Sequence, residues 1–190
     1  MYFDLINKNT LKIIRELRLE RLYFNQISER TSIKSKNNLL KNLNNLVLAK
    51  ILIKEQNKSN TYYKINYENY LSISILSLLD SFNFQNLPFE RRKPLEEIIL
   101  CTKSPLIIVF GSTSKGDFKK DSDIDLLIIE NKMNNLNKIK EISKRYGVSI
   151  NPVFISFEEF EKMGDTIEHI LKTGYPLTGG FYFYEKFKKI

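Results

Sequence analysis

The sequence predicts an α/β (α+β) chain built from two modules of different character. Helical apolar repeats and a hairpin pattern fill the first third, strand-like apolar runs alternate with helical segments after residue 105, and the excess positive charge lies at one end. Residues 1–66 carry 13 Lys or Arg against 5 Asp or Glu, while residues 67–190 carry 17 of each class. The whole formal net charge of +8 therefore belongs to the first third, which makes that part the candidate for binding a polyanion.

Length and composition exclude several classes of protein. A chain of 190 residues with 42% hydrophobic side chains can bury a sizeable core. No apolar run reaches the roughly 20 residues that a membrane-spanning helix needs, and the N-terminus lacks the basic and apolar segments of a secretory leader. The single cysteine, Cys101, excludes an internal disulfide framework. We therefore expect a cytoplasmic protein that does not contact a membrane.

Three helices are predicted before residue 50, over about 9–19, 24–30 and 36–50. Ser35 offers a side-chain oxygen that can cap the third helix. The apolar face of this third helix would be Leu39 or Leu40, Leu43, Leu46 and Val47. Its opposite face presents basic and amide side chains without a carboxylate: Lys36, Asn37, Lys41, Asn44 and Asn45.

Two strand-like runs, 51–53 and 61–65, flank the polar segment KEQNKSN and predict a hairpin with a basic tip. The stretch QISERTSIKSKNNLLKNLNNLVLAKILIKEQNKSNTYYKIN resembles the second helix, turn, recognition helix and wing of a winged helix-turn-helix domain. It departs from that pattern at Ala49, where many relatives have glycine.

The resemblance implies that residues 1–66 bind double-stranded DNA, with the third helix in the major groove and the hairpin on the phosphate backbone. The DNA-binding residues would be Lys34, Lys36, Asn37, Lys41 and, on the wing, Lys58. The alternative is that these lysine and asparagine side chains only solvate an exposed helix face.

A helix over about 70–82 is apolar on more than one side. It could pack under the first module, bridge the two modules or pair with its copy in a homodimer. Pro88 and Pro94 then interrupt the helical pattern and predict a boundary near residues 83–93.

The stretch FGSTSKGDFKKDSDIDLLII, which follows a buried apolar run, carries the chemistry. Gly111 permits a sharp turn after the strand, and Ser112 supplies a hydroxyl beside the backbone N–H groups of a short helix, which can hold an anion. Lys115 adds a positive charge, and Gly116 allows the helix to end. These residues predict a phosphate-binding loop.

Asp123 and Asp125 adjoin the next predicted strand, over 124–129, and would lie on the same side of it because side chains alternate along a strand. Two neighbouring carboxylates repel each other unless a cation lies between them. A hard divalent ion such as Mg²⁺, which prefers oxygen ligands and accompanies phosphates, is the expected occupant. The alternative is an ordinary surface turn between two strands.

The combination of a Gly-Ser pair, a later glycine and Ser-Asp-x-Asp before an apolar strand resembles the minimal nucleotidyltransferases of the DNA polymerase beta superfamily. The matching residues are Gly111, Ser112, Gly116, Ser122, Asp123 and Asp125. The resemblance implies a small mixed sheet flanked by helices, with ATP or another nucleoside triphosphate on the Gly-Ser loop and catalytic aspartates that hold Mg²⁺ (or Mn²⁺). The domains would be 1–66 winged helix-turn-helix, 67–93 connecting helix and linker, and 94–190 nucleotidyltransferase.

Relatives in that superfamily have a third carboxylate on a later strand, which here should be VSINPVFI. This strand contains no acid, and Asn151 or Ser149 occupies the corresponding position. Three functions remain open. The chain could be an enzyme that transfers AMP to a protein or small molecule, a winged-helix transcriptional regulator whose degenerate transferase domain senses nucleotide, or an antitoxin-like partner of a HEPN-domain toxin.

Overall fold

The computed structural model describes residues 5–57, 60–130, 135–162 and 164–188. They form two compact units, one comprising the residues up to Leu79 together with those from Tyr184 onward, the other comprising Asp80–Phe183. The division after Leu79 falls inside the predicted connecting segment, 67–93. None of the helices in these ranges is both long enough and apolar enough to span a membrane.

The first unit combines helices with a small antiparallel sheet. Its elements are α1 (Lys8–Glu16), β1 (Leu22–Tyr23), α2 (Phe24–Thr31), α3 (Lys36–Leu48), β2 (Leu52–Gln56), β3 (Thr61–Ile65) and the first part of α4 (Tyr70–Gln85). The strand order is β1-β3-β2, and both pairings are antiparallel. The hairpin of β2 and β3 agrees with the prediction, whereas β1 has only two residues and is too short to produce a periodic sequence signal.

Capping side chains fix where the helices of the first unit begin. The Asn7 side chain accepts hydrogen bonds from the N–H groups of Asn9 and Thr10, and the Thr10 hydroxyl oxygen accepts one from the N–H of Asn7. Ser35 accepts a hydrogen bond from the N–H of Asn38 at 3.3 Å, as predicted for the cap of α3. Leu39 is fully buried and Leu40 is 45% exposed, which decides between the two candidates for the apolar face.

The last described residues belong to the first unit, although the sequence pattern placed them in the second module. The Tyr184 side chain is fully buried, and its ring stacks on that of Tyr67 with the centroids 6.3 Å apart. The Lys188 ammonium lies 3.3 Å from the Glu68 carboxylate. Aromatic packing therefore ties the end of the described chain to the segment that follows β3.

The second unit is a mixed sheet flanked by helices, which confirms the predicted fold class. It contains α5 (Phe89–Thr102), β4 (Ile107–Phe110), α6 (Gly111–Lys115), β5 (Ile124–Ile129), α7 (Leu136–Tyr146), β6 (Ile150–Ile155), α8 (Phe157–Lys162), α9 (Asp165–Thr173), β7 (Tyr175–Thr178) and the first part of α10 (Gly180–Glu185). The strand order is β6-β5-β4-β7; β5 and β6 are parallel, and β4 is antiparallel to both β5 and β7.

One face of this sheet carries the apolar core of the second unit. The buried core residues come from α5, α7 and alternate positions of β4 and β5, and include Leu95, Ile98, Ile107, Val109, Ile124, Leu126, Ile128, Ile139 and Ile142. Because side chains alternate along a strand, Asp125 of β5 points away from this core. The core thus directs the polar residue of β5 to the opposite face of the sheet.

Helix α5 begins at Phe89, inside the boundary predicted near residues 83–93, and contains Pro94. The proline ring removes one backbone hydrogen bond to the preceding turn, which is why the sequence predicted a break. Pro94 is buried, however, so packing overrides this local signal. The longer helix brings Arg91, which was predicted to lie in the linker, into the structured unit.

Candidate nucleotide site

The Gly-Ser loop and the second aspartate come together because β4 and β5 are antiparallel neighbours. Helix α6 begins directly at the end of β4, and Phe110 faces Asp125 across the strand pair. Gly111 has a φ of +71°. A Cβ atom added to Gly111 would lie 2.4 Å from Oδ2 of Asp125. Glycine is therefore required at this position both by the backbone conformation and by the carboxylate that adjoins it.

The two aspartates lie at the start of β5 in different surroundings. Asp125 is half-buried between Ile124 and Leu126, whose side chains are fully buried. Asp123 precedes the strand and is exposed, and the Thr113 hydroxyl of α6 lies 3.4 Å from its backbone carbonyl oxygen. The sequence pattern thus leads to a pair of accessible carboxylates beside the start of α6.

Asn151 is the polar residue that faces Asp125 on the neighbouring strand. It is directly opposite Asp125 in the parallel register of β5 and β6, and its Nδ2 atom donates a hydrogen bond to Oδ1 of Asp125 at 3.2 Å. Ser149 precedes β6, and its carbonyl oxygen accepts the N–H of Ile124. Of the two residues considered for the third position, Asn151 is therefore the one whose side chain contacts Asp125.

Two glutamates that follow β6, Glu158 and Glu159, have structural partners within α8 or directly before it. The Glu159 carboxylate accepts hydrogen bonds from the N–H and the hydroxyl of Ser156 at 2.7 and 2.8 Å, and these bonds lower its pKa. Glu158 pairs with Lys162 at 3.1 Å. Over the described ranges, no three or more His, Cys, Asp or Glu side chains gather into a group that could hold a metal ion. The site therefore has two carboxylates and one amide where the resemblance implied three carboxylates.

Arg91 of α5 connects helix α6 to the loop before Asp123, and this role was not predicted from the sequence. The side chain is 3% exposed, and its Nη1 atom donates to the Thr113 hydroxyl at 2.8 Å. Its Nη2 atom donates to the carbonyl oxygens of Lys119 and Ser122 at 3.0 and 2.8 Å. The guanidinium also lies 4.1 Å from the centroid of the Phe118 ring. Arg91 thereby holds α6 and the loop immediately before Asp123 together.

Burial lowers the pKa of the Arg91 guanidinium, while the negative charges of Glu90 and Asp123 act in the opposite direction. An arginine stays charged even after such a shift. The sequence signal for Arg91 was weak, because an arginine in a polar run beside two prolines is usually exposed.

Two of the remaining loop residues have structural roles, and two have side chains that are available to a ligand. The Ser114 hydroxyl lies 2.9 Å from the carbonyl oxygen of Gly111 and 2.8 Å from that of Thr173, so it fixes α6 to the end of α9. Gly116 ends α6 in the left-handed conformation, as the sequence predicted. Ser112 is half-buried and Lys115 is exposed, and neither side chain has a hydrogen-bond or ion-pair partner among the described residues. Both side chains can therefore bind a ligand.

The donor set fits a magnesium ion that shares its coordination with a phosphate. Mg²⁺ is usually held by one or two carboxylates together with waters and substrate phosphates, rather than by a complete cage of protein ligands. Asp123 and Asp125 supply the carboxylates. Because Asn151 uses Nδ2 to bind Asp125, its amide oxygen Oδ1 is left as a further neutral donor.

The predicted DNA-binding residues lie in the first unit. Lys36, Asn37 and Lys41 are exposed on α3, and Lys34 is exposed just before it. Lys58 lies outside the described residues.

Comparison with known proteins identifies the second unit. A family model described as a nucleotidyltransferase domain matches residues 89–178, which run from the start of α5 to the end of β7. Two proteins of Methanocaldococcus jannaschii are similar in sequence. The one named "Putative protein adenylyltransferase MJ0141" is 34% identical over 62 residues, 29% of this chain and 63% of that protein. The one named "Putative protein adenylyltransferase MJ0604" is 33% identical over 78 residues, 37% of this chain and 78% of that protein. The chain thus spans just under two thirds of the first relative and more than three quarters of the second.

Proposed function

Because the chain belongs to the nucleotidyltransferase domain family, we propose that its second unit transfers AMP from ATP to a hydroxyl group of a protein acceptor. The names of the two relatives support AMP as the transferred group and a protein as the acceptor. The observation that carries the proposal is the junction of β4, α6 and β5, where Gly111 leaves room for the Asp125 carboxylate beside the helix start.

The residues of α6 would bind the triphosphate. The first N–H groups of the helix and the Ser112 hydroxyl donate to phosphate oxygens, and Lys115 adds a positive charge. Asp123 and Asp125 would hold Mg²⁺, which when bound neutralises charge on the α-phosphate and on the departing pyrophosphate. Asn151 orients the Asp125 carboxylate through its hydrogen bond.

The acceptor oxygen would form a bond to the α-phosphorus as the bond from that phosphorus to the bridging oxygen of pyrophosphate breaks. The proton of the acceptor hydroxyl must leave through a carboxylate of the pair or through water, because the amide of Asn151 cannot accept it as a base. Arg91 would hold the loop before Asp123 in a fixed position relative to helix α6 during this step.

Incubation with α-labelled ATP, Mg²⁺ and a cell lysate tests this proposal. We expect labelled protein with the wild-type chain and none with Asp123→Asn plus Asp125→Asn. Asp121→Asn, which changes an exposed acid in the same loop, is the matched control and should retain transfer. Transfer that survives the double substitution would exclude the proposed site.

The second candidate for this unit is a nucleotide sensor, and the amide at position 151 favours it. A site with two carboxylates can bind a magnesium–nucleotide complex yet lack the charge needed for rapid transfer. Measuring ATP binding and transfer on the same preparation distinguishes the two functions. Binding that depends on Asp123 and Asp125 without any transfer would identify a sensor.

For the first unit we propose binding of double-stranded DNA as a winged helix-turn-helix. Its element order and its β1-β3-β2 sheet support this assignment, as does a third helix whose exposed face has lysines and no carboxylate. Helix α3 would enter the major groove, with Lys34, Lys36, Asn37 and Lys41 as contacts and Lys58 as a wing contact.

The salt dependence of duplex binding tests this assignment. Lys36→Ala plus Lys41→Ala should weaken binding and reduce the slope of log K against log salt by about 0.9 for each phosphate that the variant no longer neutralises. The matched control is Lys140→Ala plus Lys144→Ala, which removes two exposed lysines from α7 in the second unit. Equal binding and equal slopes for the two double variants would contradict the assignment.

A further inference from the structure

The outer face of α3 has a regular stripe of exposed side chains. Asn37, Leu40, Lys41 and Asn44 occupy positions i, i+3, i+4 and i+7, so they lie above one another on a single side of the helix. All four are exposed. The buried residues of the same helix, Leu39, Asn42, Leu43 and Leu46, lie on the opposite side. The stripe is therefore the surface that α3 would present to a partner.

The asparagines of α3 divide into structural and unpaired ones. Asn42 is buried, and its Nδ2 atom donates to the backbone oxygen of Asn38 at 2.7 Å and to its side-chain oxygen at 2.8 Å. Over the ranges that the structure describes, Asn37 and Asn44 have no side-chain hydrogen bond. Both therefore keep a full amide, two N–H donors and one acceptor oxygen, for a partner.

Leu40 is the apolar member of the stripe. Its side chain is 45% exposed and stands between the two unpaired asparagines along the helix. The stripe therefore has an exposed leucine with one free amide on each side of it. Such a surface is complementary to a partner on which hydrogen-bonding groups alternate with a methyl group.

In the major groove of DNA, that edge belongs to A·T base pairs. Adenine presents N7 and N6, which asparagine binds with two hydrogen bonds, and thymine presents the C5-methyl group, which favours apolar contact. Guanine is most often read by arginine or lysine; α3 contains no arginine, and we assign its exposed lysines, Lys36 and Lys41, to phosphates. The charge of the surrounding Lys34, Lys36 and Lys41 is complementary to phosphates.

We infer that α3 reads A·T base pairs, with Asn37 and Asn44 on adenine edges and Leu40 on a thymine methyl group. This inference rests on the proposed binding of duplex DNA by the first unit. It adds a preferred base composition to that proposal and divides the exposed face into residues that read bases and residues that bind phosphates.

Selection from a random pool of duplexes tests the base preference directly. The full chain should enrich sites with two or more A·T pairs in a fixed arrangement. Asn37→Ala plus Asn44→Ala should reduce the preference for these sites over the pool about tenfold or more, while its residual binding keeps the wild-type salt slope. Asn137→Ala removes an exposed asparagine from α7 and should select the same sites as the wild type.

Replacing thymine by uracil in the selected site tests the role of Leu40. Uracil lacks only the C5-methyl group, so wild-type binding should weaken about fourfold for each methyl group contacted. Leu40→Ala should bind the thymine and uracil sites more nearly equally. An unchanged thymine preference in Leu40→Ala would contradict the assignment of this residue.

The outcomes separate the inference from the proposal on which it depends. Duplex binding that enriches G·C pairs, or no sequence at all, would overturn the inference and leave DNA binding intact. A chain that binds no duplex, or prefers single-stranded RNA, would overturn both.

Discussion

Gly111 shows how one residue type can serve both the backbone and the site. Its positive φ disfavours other residues, and a Cβ atom there would occupy the space that the Asp125 carboxylate uses. Gly147 also has a positive φ, of +63°, but a Cβ atom added to it would have no neighbour within 4 Å. Substituting each of the two glycines in turn therefore distinguishes the effect of backbone strain from an effect on the site.

We predict that Gly111→Ala lowers the affinity for Mg²⁺–ATP at least about tenfold, because the new methyl group displaces a proposed metal ligand. Both Gly111→Ala and Gly147→Ala should lose about 1–2 kcal/mol of stability from backbone strain. Calorimetric titration with Mg²⁺–ATP and thermal unfolding measure the two effects. Similar nucleotide affinity in both variants would show that Gly111 has no role beyond its conformation.

Asn151 offers a second test by a single substitution. We predict that Asn151→Asp strengthens Mg²⁺ binding and raises the transfer rate, because it places a third charge opposite Asp125. Without the metal, the same change should destabilise the protein through repulsion between the carboxylates. A Mg²⁺ titration of transfer and of thermal stability checks both effects.

Asn151→Ala is the control for this test, because it removes the hydrogen bond to Asp125 without adding charge. It should weaken Mg²⁺ binding. If Asn151→Asp behaved like Asn151→Ala, with no gain at any Mg²⁺ concentration, position 151 would lie outside the metal site.

The elements around the site depend on contacts that sequence patterns do not reveal. The strand over 124–129 was predicted with the bounds that the structure shows, since its apolar residues, interrupted only by Asp125, lie between the polar residues Asp123 and Glu130. Gly111, Gly116 and the two aspartates were singled out from the sequence because their proposed chemistry is tied to residue type. Arg91 was missed, since its role comes from hydrogen bonds to carbonyl groups about 30 residues away.

We predict that Arg91→Lys impairs transfer about tenfold or more while the second unit remains folded. Lysine keeps the charge but cannot bind Thr113 and two carbonyl oxygens at once in the geometry of a guanidinium. The loop before Asp123 should then move relative to α6, which raises the Mg²⁺ concentration needed for half-maximal transfer. Mg²⁺ dependence and circular dichroism distinguish this effect from unfolding.

Arg92→Lys is the matched control, because the neighbouring Arg92 is less buried and contacts Gln85 and Glu96 instead. It should transfer AMP at close to the wild-type rate. Equal Mg²⁺ dependence in Arg91→Lys and Arg92→Lys would contradict a positioning role for Arg91.

Across the molecule as a whole, the chain returns to its first unit after completing the second. No local pattern predicted this return, because FYFYEKFKKI begins with four consecutive aromatic residues and the partner of Tyr184, Tyr67, is more than 100 residues away in sequence. The two exposed and two buried aromatics of this stretch can be told apart only in the folded chain: Phe181 and Tyr182 are exposed, and Phe183 and Tyr184 are buried.

We predict that Tyr184→Ala destabilises the first unit by about 3–5 kcal/mol, since it removes a fully buried ring. DNA binding should disappear before nucleotidyl transfer as the temperature rises. Tyr182→Ala, which removes a ring that is 42% exposed, should cost less and leave DNA binding intact. Scanning calorimetry together with both activity assays measures these effects, and a loss of transfer before DNA binding would contradict the division into units.

The proposal that Asp123 and Asp125 support transfer of AMP is tested most directly by parallel incubations with ATP labelled at the α- or the γ-phosphate. Each incubation compares the wild type with Asp123→Asn plus Asp125→Asn. We expect the label that the wild type transfers to protein above the double variant to come from the α-phosphate alone, while the γ-label leaves in pyrophosphate. Transfer of γ-label that depends on the two aspartates, or transfer of α-label that does not, would contradict the proposal.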